Sequence, residues 1–167
     1  MKFRRFATFS HDRVAGITTG LGLALILGLL VVPGYVVAPV LFAEAESSQV
    51  AGMLAGQVFH VANLFVLVLA AAVAIVWWRR RTPRSLWILL GALALIIIVN
   101  EFAIAPHMAA LKEQAGDIMS LPGEHPLRSS FGIWHGVSSA LHLVATLTAG
   151  ALMLMTNNNR EISTCSL

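Results

Sequence analysis

The stretch Phe131–Leu143, FGIWHGVSSALHL, sets two imidazoles and two hydroxyls inside an apolar run. On a helix His135 and His142 are seven residues apart and project within about 20° of each other, with Ser138 and Ser139 between them on the same side. A stripe of this kind turned to hydrocarbon would leave donors and acceptors unpaired, so the spacing predicts that it faces the interior of a helical bundle.

Composition fixes the class around that stretch. The chain is 57% hydrophobic and only 11% charged, with a mean hydropathy of +0.80, a balance that soluble domains of 167 residues do not show. The expected fold is all-α: a four-helix transmembrane bundle forming one integral membrane domain over residues 1–167, with spans at about 14–43, 50–78, 85–105 and 129–155. Lys2, Arg4 and Arg5 followed by an Ala43-Glu44-Ala45 triplet imitate a signal peptide. The first apolar run is about twice as long as a signal core, so it reads as a retained helix. Pro33, Gly34 and Pro39 predict a kink in its last third, tolerated in a membrane when a neighbouring helix satisfies the freed carbonyls.

The basic residues lie at the ends of apolar runs, which excludes a nucleic-acid surface as their purpose. Lys2, Arg4, Arg5, Arg13, Arg79, Arg80, Arg81, Arg84 and Arg160 fall on one side of the expected bundle, against Lys112 and Arg128 on the other. That bias predicts both termini in the cytoplasm of a multi-pass protein of the bacterial inner membrane, with the acidic loops outward. The single cysteine, Cys165, permits neither an intrachain disulfide nor a cysteine-only metal site.

His60, Glu101, His135 and His142 all come to the outward half of this bundle, with His107 at its rim. Neutral imidazole is the commonest transition-metal ligand, and bundles build such sites from facing helices. His60, His135 and His142 are the candidate cofactor-binding residues, for haem b; His60, Glu101, His107 and His135 are the candidate ligands for copper or zinc. Interhelical hydrogen bonds that merely fix packing are the competing reading for each histidine. Gly52 with Gly56, and Gly132 with Gly136, are small-xxx-small pairs that predict close helix contact, and Trp77, Trp78, Trp87 and Trp134 read as interfacial belt residues. No catalytic constellation is visible: Ser138, Ser139 and His142 share one helix and have no nucleophile elbow. The alternatives to a metal or haem protein are a structural or accessory subunit, a homo-oligomer or part of a larger complex, and a small transporter.

Four segments carry a family resemblance: VVAPVLF (Val36–Phe42), AGMLAGQVF (Ala51–Phe59), NEFAIAPHM (Asn100–Met108) and the histidine stretch itself. They resemble the blocks of an uncharacterised bacterial membrane family, similar to the eukaryotic transmembrane-protein-205 type. Phe131, His135, Gly136 and Ser138 match its F-x-x-x-H-G-x-S block. Asn100 and Pro106 match its N-x-x-x-x-P block with one extra residue between them, and the family more often has asparagine where His142 stands. The family has no established activity; the resemblance implies metal handling, through relatives linked to platinum-drug tolerance and a remote likeness to copper-resistance proteins.

Overall fold

A computed structural model describes the backbone of residues 3–80 and 82–165, and the side chains of residues 14–80 and 82–158. The side chains of Lys2, Arg4, Arg5, His11, Arg13, Arg81, Arg160 and Cys165 lie outside the described residues. Six α-helices follow one another among the described residues: α1 (Phe3–Val32), α2 (Ala38–Glu44), α3 (Ser48–Trp78), α4 (Arg84–Val99), α5 (Ala105–Ala115) and α6 (Pro126–Cys165). Two π-helical turns, Pro33–Val37 and Asn100–Ile104, join α1 to α2 and α4 to α5 without a break. Among the described residues the result is four helical rods long and apolar enough to cross a membrane: Val14–Glu44, Ser48–Trp78, Arg84–Ala115 and Pro126–Asn158. At most a third of the most apolar window in each rod is buried by protein, so the rest of that surface meets lipid. The chain is an all-α, multi-pass integral membrane protein.

The third rod runs to Ala115, about ten residues beyond the expected end of its span at 105. It stops at Gly116, whose φ of 68° is open to glycine at little cost. The second rod starts on a capped end, where the Ser47 hydroxyl accepts from the Val50 amide at 3.2 Å.

Heptad spacing builds the core. Val66, Ala70, Val73 and Trp77 of α3, Leu86, Leu90, Leu93 and Ile97 of α4, and Ala145, Ala149 and Leu152 of α6 step by four and three residues, and all are buried with Leu23, Ile26 and Leu30 of α1. Steps of this kind keep one seam of each helix on the bundle axis. The apolar seam occupies the half nearer the arginine turn after α3, here called the proximal half. In the distal half the same seams carry polar residues: Asn63 three before Val66, Glu101 four after Ile97, and His142 three before Ala145, each buried.

Both π turns have the same cause. Each ends on an Ala-Pro pair, Ala38-Pro39 and Ala105-Pro106, and a proline gives no N–H to the carbonyl four residues back while its ring crowds that carbonyl. The chain responds by widening the preceding turn, so Ala38 donates to the Pro33 carbonyl and Ala105 to that of Asn100. The six-residue spacing from Asn100 to Pro106 is the span of this wide turn; Glu101 stands on the buried seam four residues after Ile97, and His107, beyond the turn, is exposed.

Three expectations about side-chain direction are corrected. The stripe on α6 does not face inward along its length: His142 is buried, but Gly132 to Val137 are six consecutive exposed residues. Cβ atoms added at Gly132, Gly136 or Gly56 would meet nothing within 4 Å among the described residues, so these glycines are not sites of close packing within the chain. Trp77 is no belt residue; it is 3% exposed and packs edge-on against Trp87 with ring centroids 5.8 Å apart.

Candidate functional site

Two polar centres occupy the distal half. The first joins α3 to the second π turn. The Glu101 carboxylate, 7% exposed, takes a hydrogen bond from Asn63 Nδ2 to Oε2 at 2.8 Å and is in direct contact through Oε1 with His60 Nδ1. Helix geometry makes this possible, since His60 and Asn63 are three residues apart and share a face. With an ionised carboxylate both oxygens accept, the proton between the two groups sits on Nδ1, and Nε2 is the ring nitrogen turned away from Glu101. The His60 side chain is 57% exposed, so this imidazole forms the outer edge of a centre whose carboxylate is enclosed.

The second centre joins α6 to the kink of the first rod. His142 Nε2 donates to the Leu30 carbonyl at 2.9 Å, one turn before the wide turn that Pro33 opens. The bond ties the last helix to main chain just ahead of the kink. Phe59 meets the ring edge-on at 5.1 Å and Tyr35 lies at 6.1 Å. Gly34 is the position that lets the ring in, because a Cβ there would stand 2.6 Å from Nε2. His142 Nδ1 is buried and has no hydrogen-bond partner among the described residues.

The remaining candidates lie elsewhere. His135 is exposed and stacks on Phe131 at 5.9 Å, on the ring that also receives Lys112 Nζ at 5.2 Å. His107 meets the edge of Trp134 at 5.0 Å. His60 and Glu101 are thus brought together, whereas among the described residues no three His, Cys, Asp or Glu side chains are grouped to hold a metal ion. One chain therefore offers an imidazole with a carboxylate behind it, and a buried histidine whose Nε2 is committed to backbone. Asn63, Leu30, Gly34 and Phe59 complete these centres without having been candidates. The signal for Asn63 is heptad phase: extending the apolar seam by one step lands on it.

Residues 21–117, more than half of the chain, match a family described as a domain of unknown function (DUF4149), a range that includes the kink, His60, Asn63 and Glu101. No curated protein and no solved structure matches the chain.

Proposed function

The chain belongs to the domain-of-unknown-function family DUF4149, and from that premise, which supplies no inherited activity, we propose that it binds a cation in the distal half of its bundle through His60. The observation that carries this reading is the enclosed Glu101 carboxylate set against His60 Nδ1. A carboxylate in that position fixes the tautomer, aims the ring and raises the basicity of the opposite nitrogen, the arrangement found behind metal-ligating histidines. An enclosed carboxylate beside a neutral imidazole also leaves one negative charge uncompensated, which favours a cation on Nε2. Copper, zinc or the iron of haem b are the cations that suit an imidazole donor. Glu101 serves as the orienting group, and the remaining ligands come from a second copy of the chain or from another subunit, consistent with a His60 side chain uncovered by its own bundle. The basic residues at the proximal end support cytoplasmic termini in a bacterial inner membrane, with the cation site toward the exterior.

Metal analysis and an absorption spectrum of the protein purified in mild detergent test the reading. Stoichiometric metal or a Soret band is expected, lost in His60→Ala and kept in His142→Ala. A colourless, metal-free parent protein overturns it.

A second reading, an accessory subunit of a membrane complex, is favoured by the uncovered turn and a half at Gly132 to Val137. Recovery of a monomer without partners from mild detergent argues against it.

A further inference from the structure

The proximal end carries a feature that the cation site does not use. The turn between α3 and α4 is short, and it sets Trp77 and Trp87 edge to edge while Trp78, 84% exposed, projects beside them. Two open cavities flank this cluster. One, of about 430 Å³, is lined by Ala74, Ile75, Trp78, Arg79 and Trp87; the other, of about 300 Å³, has Arg80 with the tryptophans.

We propose that this cleft binds one anionic glycerophospholipid of the adjoining leaflet, its phosphodiester held at Arg79 and Arg80 and an acyl chain laid along Ala74 and Ile75 between Trp78 and Trp87. Chemistry and level both fit. The cleft lies where an apolar helix gives way to arginine, which is the depth of the headgroup boundary. Guanidinium groups present paired N–H donors that suit two phosphate oxygens, and tryptophan holds an amphipathic ring at the same boundary. Ala74 and Ile75 lie one turn deeper than Arg79, so a ligand spanning both needs an anionic head on an apolar tail. Free phosphate satisfies only the first requirement, and a zwitterionic lipid places a cation among arginines. Arg84 opens the next helix and adds to the positive potential of the same turn.

The test is retention of lipid by the full chain in mild detergent, read by native mass spectrometry after exchange with equimolar phosphatidylglycerol and phosphatidylcholine. The parent protein is expected to keep phosphatidylglycerol preferentially, the preference falling about fivefold for each of Arg79→Gln and Arg80→Gln, in line with the weight of a single basic residue at a membrane surface. Trp78→Ala, at an exposed position that leaves the core intact, is expected to weaken retention of the same lipid. Lys112→Gln removes one charge at the opposite end and is expected to change nothing. Equal retention of the two lipids by the parent, an unchanged preference in the arginine variants, an equal loss in Lys112→Gln, or displacement by equimolar inorganic phosphate would each overturn the proposal.

Discussion

Gly34→Ala is the substitution whose sign the structure fixes most sharply. In a helix with nothing nearby, replacing glycine by alanine is favourable by about 1 kcal/mol. At residue 34 the new methyl would stand 2.6 Å from His142 Nε2 and 3.0 Å from Cδ2, so the ring must leave its place. Its departure forfeits the bond to the Leu30 carbonyl, about 0.6–2 kcal/mol for an interhelical contact in a membrane. The edge-on packing with Phe59 is lost as well, about 0.5–1.5 kcal/mol for an aromatic pair. Set against the helix gain, the net expectation is a destabilisation of about 0.1–2.5 kcal/mol. In a His142→Ala background the obstruction is gone, and the same change is expected to stabilise by up to about 1 kcal/mol. Reversible unfolding in mixed micelles, followed by tryptophan fluorescence, measures all four corners of the cycle. Additive effects, or a stabilising Gly34→Ala in the parent, would refute the proposed docking of His142 into the kink.

Trp77→Ala is expected to cost about 3–5 kcal/mol of unfolding free energy, and Trp78→Ala less than about 0.5 kcal/mol, because adjacent indoles occupy core and surface; the same unfolding assay compares them. Gly132→Ala and Gly136→Ala are each expected to leave the isolated chain unchanged or to stabilise it by up to about 1 kcal/mol, since the space around them is open; a clear loss in the unfolding assay would restore the reading of close packing within the chain. Glu101→Gln keeps a side chain of similar shape but removes the charge behind His60, and competition against a chelator should show metal affinity reduced about 10- to 100-fold.

Fold class was legible because it rests on composition and run length, which four uninterrupted apolar segments state without ambiguity. Side-chain direction was legible only where helix phase stayed regular. Trp77 shows the difference: its place at the end of a span suggests an interface, but its heptad step from Val73 puts it in the core. The wide turn at Asn100–Ile104 shifts the phase of everything after it, so a regular helix drawn on from Ile97 gives the buried Glu101 but not the exposed facing of His107. Two Ala-Pro pairs are visible in the sequence, yet a proline alone does not say whether a helix kinks, breaks or widens. The partner of His142 is a main-chain carbonyl, and residue identity carries no trace of such an acceptor. His135 repeats the phase of His142 seven residues earlier, but phase cannot say where neighbouring helices stop covering α6.

The tautomer of His60 tests the central claim most directly, because the cation site requires a proton on Nδ1 facing Glu101 and a lone pair on Nε2. Nitrogen-15 spectra of histidine-labelled protein in bilayers, with His60→Ala identifying the resonances, are expected to show Nδ1 protonated and Nε2 bare, and Nε2 alone shifting on addition of zinc. A His60 protonated at Nε2, or one whose nitrogens ignore the metal, would contradict the account.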